Sequence, residues 1–378
     1  MISMAPAIRK WLFNDAMPWW TEHGLDRQHG GYVEQFSLDG TDNGATYKRT
    51  RVTGRQIYVF SQAALLGWKD GAQAAEHGFH FLTRRCWLGE KAGFARTVTR
   101  AGDILDPTPD LYDLAFALFG FAWYLRASGD ASALLWAHRT LDGIETRLRH
   151  PSGQGYRHEL NSSESIQQNP HMHLIEACLA TYASSKEQRF ADKAVEIADL
   201  FRTKFYDPKS QTLCEIFQDD WSRASGEAGR RIEPGHQFEW AWILSSAQAL
   251  IGLNFEDEIR GLIEFGERFG IGERGQVRNI VRDDGVPINS GSRSWPNAER
   301  IKAAVALYEL DGVDPTHAID TSAQHLFSNH LHHTPAGTWI DEFDENGAPL
   351  STLIPSSSLY HVVLAFAEAL RVAARLKP

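Results

Sequence analysis

The sequence predicts an all-α protein, an (α/α)6 barrel with short β-hairpins in its connecting loops, built as one domain over residues 1–378. Three observations point there. Segments with a glycine, an aromatic residue and alternating polarity recur about every sixty residues; two stretches of helical periodicity separate successive segments; and prolines recur with the same spacing where helices begin.

The recurrent segments are GGYVEQFSLDG from Gly30, GFARTVTRAGDIL from Gly93, GYRHELNSS from Gly155, TLCEIFQDDW from Thr212, QVRNIVRDDGVPI from Gln276 and GTWIDEFDENGAPL from Gly337. Alternation of period two, followed by turn pairs such as Asp39-Gly40 and Asn346-Gly347, reads as a hairpin. Between hairpins, the first helical stretch is apolar nearly all round, as in YDLAFALFGFAWYLR from Tyr112. The second is amphipathic and charged, as in KEQRFADKAVEIADLFRTKF. Helices buried on all sides form an inner ring, and helices with one wet face form an outer ring. Pro109, Pro170, Pro234, Pro296 and Pro355 mark the starts of five inner helices, since proline is favoured where its missing N–H is not needed. The inner N-termini therefore share one mouth of the barrel.

Composition is that of a folded globular chain, with 43% hydrophobic and 23% charged residues and a net charge of −10. Basic residues are scattered, which excludes a phosphate-backbone stripe, so neither nucleic acid nor an anionic membrane is expected as partner. The N-terminus MISMAPAIRKWLFNDAMPWW lacks the plan of a secretory signal, and no run of about 18 uninterrupted apolar residues occurs. Cys86, Cys178 and Cys214 are odd in number and far apart, which favours a reducing, cytoplasmic setting without disulfides.

At the predicted mouth gather Asp110, Tyr112 and Asp113; Asn169, His171 and His173; Glu233, His236 and Glu239; Trp295 and Glu299; Tyr360 and His361; and, on the first inner helix, Lys48, Arg49, Arg51 and Arg55. Polar, titratable and aromatic groups on one rim of an apolar core form a pocket pattern. Asn169 and His173, and His236 and Glu239, share helix faces. A histidine in the first helical turn feels the positive end of the helix dipole, which predicts a neutral, basic His236 with Glu239 to orient it or to bind a hydroxyl. His361 stands about a third of a turn around the ring, and His173 completes a trio. Arg51 and Arg55 share a face and need a carboxylate or a sugar hydroxyl if buried. HMH at 171 and HLHH at 330 lack the spacing of a zinc helix, and no glycine-rich phosphate cradle follows a strand, so neither metal nor cofactor is expected.

The segments GRQIYVF (54–60), NPHMHLIEA (169–177), EPGHQFEWAW (233–242), SWPNAERIKA (294–303) and LYHVV (359–363) resemble the N-acylglucosamine 2-epimerase superfamily, in order along almost the whole chain. The resemblance implies an (α/α)6 barrel and metal-independent proton transfer on a reducing monosaccharide. His236 and His361 match its acid/base pair, His173 an assistant in ring opening or proton relay, and Arg55 the arginine of its GRQ segment. Tyr112, Asn169, Glu239, Trp295 and Glu299 then join Arg51 and Arg55 as substrate-binding residues. Arg51 matches the R-x-T arginine of the isomerases, which favours an aldose–ketose isomerase interconverting D-mannose and D-fructose through a cis-enediolate. The run from HGGYVEQFSLDG to LLGWKDG also resembles a bacterial group labelled mannose-6-phosphate isomerase.

An enediolate also leads to the C2 epimer, so a 2-epimerase of mannose, cellobiose-type disaccharides or N-acylglucosamine stays open. The barrel also hosts inverting glycoside hydrolases with carboxylates about 6.5–9.5 Å apart, for which Asp110 and Glu239 are the candidates, and a sugar-binding protein without turnover is the remaining alternative. The chain is compatible with a monomer or a homodimer.

Overall fold

The computed structural model describes residues 1–90, 92–159 and 166–376. Among them, twelve long helices alternate between an outer and an inner ring. The first six in chain order are α1 (5–24), α2 (Thr50–Leu65), α3 (71–86), α4 (Leu111–Ser128), α5 (Ser132–Arg147) and α6 (Asn169–Ser185). The second six are α7 (188–205), α8 (Pro234–Ile251), α9 (Glu256–Phe269), α10 (Ser294–Asp311), α11 (316–330) and α12 (Leu359–Arg375). Even-numbered helices pack side by side in a closed inner ring, α12 returning to α2.

Burial follows the sequence pattern. On α4 twelve of eighteen residues are buried, whereas α9 turns Ile259, Leu262, Ile263 and Phe265 inward and leaves its acidic first turn toward water. The inner helices α4, α8 and α10 each stop on a left-handed glycine, Gly129, Gly252 and Gly312. The glycine of GRQIYVF has a packing reason. A Cβ on Gly54 would lie 2.1 Å from the carbonyl oxygen of Phe116, so its absence lets α2 and α4 cross backbone to backbone at Gly54 and Gly120.

Proline positions agree with helix starts at Pro170, Pro234 and Pro296, while Pro109 precedes α4 by two residues. Pro355 departs from the expectation: it ends a strand, and one 3-10 turn (Ser356–Ser358) precedes α12. The stretch Ser356–Arg375 is long and apolar enough to cross a membrane, but it is 67% buried as a barrel wall.

The connections before the inner helices carry fourteen short strands among the described residues, β1 (Gln35–Ser37), β2 (Tyr47–Arg49), β3 (Thr97–Thr99), β4 (Ile104–Asp106), β5 (Ile166–Gln167), β6 (Tyr206–Asp207), β7 (Thr212–Leu213), β8 (Ile216–Phe217), β9 (Arg231–Ile232), β10 (Ile280–Arg282), β11 (Pro287–Asn289), β12 (Ser292–Arg293), β13 (Glu342–Phe343) and β14 (Leu353–Pro355). Hairpins close at β3–β4, β6–β7 and β10–β11, and by single bridges at Phe36–Asp42, Phe217–Arg223 and Phe343–Pro349. Within the predicted hairpin at Gly155, residues 160–163 lie outside those described.

The sequence did not reveal how these connections join one another. The last strand of each pairs antiparallel with a strand of the next: β2 with β3, Asp110 with Glu159, β5 with β8, β9 with β10, β12 with β13, and β14 back to β1. Six sutures thus close a ring around the mouth, pairing strand edges that would otherwise stand open. They fix the inner N-termini, and the side chains on them, relative to one another.

Candidate active site

A cavity of about 340 Å³ opens inside this ring, a size suited to a small ligand. Every inner helix gives it a residue predicted from the sequence: Arg55 from α2, Tyr112 from α4, Asn169 and His173 from α6, His236 and Glu239 from α8, Trp295 from α10 and His361 from α12.

All three histidines are more than nine-tenths buried, and each is tied through Nδ1 to a glutamate. Nδ1 of His236 lies 2.9 Å from Glu215 Oε2, that of His361 2.6 Å from Glu299 Oε1, and that of His173 3.1 Å from Glu176 Oε2. An Nδ1–H held by a carboxylate fixes the ring and leaves Nε2 as the reactive edge. Around His236 the network is fully specified. The indole of Trp240 donates to Gln168 Oε1 (2.6 Å), so the Gln168 amide nitrogen must face Glu215, to which it donates at 2.8 Å. Glu215 also accepts the backbone N–H of Glu233.

The charge states diverge. Burial disfavours imidazolium in His236, but the carboxylates of Glu215 and Glu233 outweigh it and push the pKa up to about 9. This corrects the expectation of a neutral His236: a helix dipole is a partial charge, while Glu215 is a full one at contact distance. Burial holds His361 well below the ordinary histidine value, reinforced by Arg55 and Lys302, and burial also lowers His173. At neutral pH the site thus offers a cationic His236, an acid, and a neutral His361, a base. Trp295 stands between them, its ring 5.1 Å from that of His236 and 5.4 Å from that of His361. Gly235 makes room for it, since a Cβ there would meet the indole at 2.5 Å.

Arg55 is only 6% exposed. Its guanidinium lies 4.1 Å over the Phe116 ring and donates to Tyr112 Oη at 2.6 Å, with no carboxylate partner and with Nε unpartnered. Asn169 Oδ1 and Glu239 Oε1 are likewise buried without a hydrogen bond. Buried polar atoms are rarely left so, and three around one cavity form a set of sockets for hydroxyl groups.

Two predicted residues stand elsewhere. Arg51 does not line the cavity; it clamps Asp113 through Nε (2.9 Å) and Nη2 (2.5 Å), reaches Asp110 at 3.5 Å, and packs behind the Tyr112 ring. Glu299 is fully buried behind His361. Asp110 caps α4 by accepting the Asp113 N–H, so the carboxylate pair imagined for glycoside hydrolysis does not face one space. Of the two histidine clusters, His171 and His330 are structural. His171 accepts the Tyr156 N–H, and His330 bridges Ser292 to the Ile340 carbonyl.

Donor atoms of Glu239, Glu299 and His361 converge within 4.8 Å, as do those of His173, Glu176 and Glu239. A cation of the chain already serves them: the Lys302 ammonium lies 2.6 Å from Glu299 and 3.9 Å from Glu239, and Tyr360 donates to both oxygens of Glu176. Sequence reading missed Glu215, Lys302 and Gln168 altogether. The available signal was a charge at an inward position of an apolar segment, Glu215 in TLCEIF and Lys302 in IKAAVAL.

The model of the family N-acylglucosamine 2-epimerase (GlcNAc 2-epimerase) matches residues 30–365. The chain is 33% identical over 381 residues to a Rhizobium meliloti protein named mannose-6-phosphate isomerase, covering 96% of both chains. It is 24% identical to a D-mannose isomerase of Marinomonas mediterranea, covering 84% of this chain and 85% of that protein. The solved cellobiose 2-epimerase of Bacillus thermoamylovorans superposes with a TM-score of 0.90 at 21% identity, over 98% of this chain and 100% of that one, which establishes the shared barrel. On the match to the family model over residues 30–365 and to the Rhizobium relative over 96% of the chain, this chain belongs to the N-acylglucosamine 2-epimerase family of enzymes.

Proposed function

We propose that the protein is an aldose–ketose isomerase that interconverts D-mannose and D-fructose, or close relatives, through a cis-enediolate. The observation that carries this reading is a pair of buried histidines lining one cavity and both packed against Trp295, with charged neighbours that drive His236 toward the cation and His361 away from it. A proton alpha to an aldehyde is weakly acidic, so its removal needs a base beside it and a donor at the carbonyl oxygen.

His361 Nε2 takes the C2 proton of the open-chain aldose while His236 Nε2–H donates to O1, giving the enediol. His361 then returns its proton to C1 as the O2 proton passes back to His236, and the ketose forms with both histidines in their starting states. His173 assists opening of the sugar ring, and Arg55, Asn169 and Glu239 hold hydroxyls with the polar atoms that lack partners in the chain. This reverses the basic role that helix position alone suggested for His236.

A neutral sugar suits the cavity better than a sugar phosphate. Arg293 at the rim is held by Glu233 at 3.1 Å, and Arg55 is the lining arginine without a carboxylate partner among the described residues. The three cysteines are free and buried, which supports a reducing cytoplasmic setting.

Proton NMR of the chelator-treated enzyme with D-mannose in D2O tests the assignment. Fructose as first product supports it; unchanged mannose, with turnover of mannose 6-phosphate, refutes the neutral-sugar reading. Epimerisation at C2 is the second reading, because the same enediolate gives the C2 epimer if the other histidine at the cavity, His236, returns the proton to C2. Glucose or another C2 epimer as first product selects it.

A further inference from the structure

Lys302 is unused by the steps above, yet it is wholly buried one helical turn beyond Glu299 on α10. Its ammonium contacts Glu299 Oε2 at 2.6 Å, while the other oxygen of that carboxylate holds His361 Nδ1 at 2.6 Å. Glu239 lies 3.9 Å away, and the ring of Trp242 packs at 4.3 Å. A charged lysine in a core is costly unless paired, so its place between carboxylates calls for a reason.

We infer that Lys302 is a positioning residue that sets the tautomer of His361: its ammonium keeps the Glu299 carboxylate an acceptor of Nδ1–H, which leaves the Nε2 lone pair toward the sugar. The groups facing Glu299 make this necessary. Burial, the adjacent Glu239 and Glu176 hold its proton affinity well above the ordinary carboxylate range even with Lys302 beside it, so the ionised form depends on the direct 2.6 Å contact with the Lys302 ammonium. Without that cation Glu299 takes a proton and donates it to Nδ1. The ring proton then sits on Nε2, where a base needs a lone pair. The same ammonium supports His361 from the other side by disfavouring imidazolium.

The inference rests on the proton-transfer reading for what the tautomer is for, but its test needs no turnover. Nitrogen-15 NMR of sugar-free enzyme carrying ring-labelled histidine, with the His361 signals identified by their loss in His361→Gln, reports which nitrogen is protonated. Wild type is expected to show Nδ1–H with an unprotonated Nε2 at neutral pH, and Lys302→Gln the reverse. In Lys302→Gln, kcat falls at least about tenfold with KM within about threefold, as for a group that acts on the transition state. A wild-type His361 with its proton on Nε2 overturns the inference, even if the variant does not fold. So does a Lys302→Gln enzyme whose His361 keeps Nδ1–H. If the tautomer switches but mannose is not a substrate, the positioning role stands and the sugar assignment falls.

Discussion

Replacing Glu215 by glutamine gives the sharpest test of the acid assigned to His236. The substitution keeps shape and hydrogen bonding but removes the full negative charge 2.9 Å from Nδ1. A contact carboxylate raises a neighbouring cation's pKa by about one to three units, so His236 is expected to fall from about 9 by roughly two, to about 7. Because the acid must be protonated, activity is lost as pH rises through its pKa. At pH 8 about nine-tenths of wild-type His236 carries the proton and about a tenth does in the variant, so kcat/KM drops about tenfold there. Near pH 6 most of the rate returns, which distinguishes a titration effect from misfolding. Stability moves with it. A histidine raised above its unfolded value stabilises fully below about pH 6.5 and loses that contribution as pH rises through about 9, at most about 3 kcal/mol here, and Glu215→Gln forfeits most of it at pH 7. The assays are a pH–rate profile and urea unfolding at pH 7. An alkaline limb still near 9 in Glu215→Gln would refute the reasoning.

Arg51→Met strands Asp113 as a buried carboxylate, so it should cost about 3 kcal/mol in urea unfolding while KM for the sugar changes less than about twofold. A KM rise of tenfold or more in folded enzyme would return Arg51 to the substrate-binding set. Gly235→Ala pushes a methyl into the Trp295 indole and should lower kcat at least about tenfold with a modest loss of thermal stability; unchanged kcat would mean that Trp295 has no part in aligning the histidines. Gly54→Ala drives a methyl against the Phe116 carbonyl and should destabilise by about 3 kcal/mol or more, read as a lowered Tm. Exhaustive chelation should leave the mannose rate unchanged; a loss restored by a divalent ion would contradict proton transfer by histidines alone.

The sixfold barrel could be read in the sequence because each repeat solves the same burial problem with the same local signals: an apolar helix, an amphipathic one, and a proline or glycine where the chain turns. Residues that line the cavity from the start of an inner helix, such as His173, His236, Trp295 and His361, inherit that regularity. Glu215 was hidden because it reaches His236 from the link between β7 and β8 of the same repeat, twenty-one residues upstream, and no helical spacing links them. Lys302 was hidden for another reason. It obeys helix periodicity and looks like a solvated charge until neighbouring helices bury it. Arg51 was misplaced because it shares a face with Arg55, yet one turn along α2 separates a residue behind Tyr112 from one beside the cavity.

Equivalent placement also fails to fix charge. His173, His236 and His361 all pair Nδ1 with a glutamate in a buried setting, so a count of first partners predicts three similar groups. What distinguishes them is the next shell of charge. His236 faces a second carboxylate in Glu233; His361 has one too, Glu239 at 4.0 Å, but there burial and the cations Arg55 and Lys302 outweigh it. One environment stabilises imidazolium and the other expels it, so in the proposed mechanism a single motif repeated around the ring supplies an acid on one wall and a base on another. Exchanging those outer charges, rather than the histidines, is therefore the route to exchanging their roles.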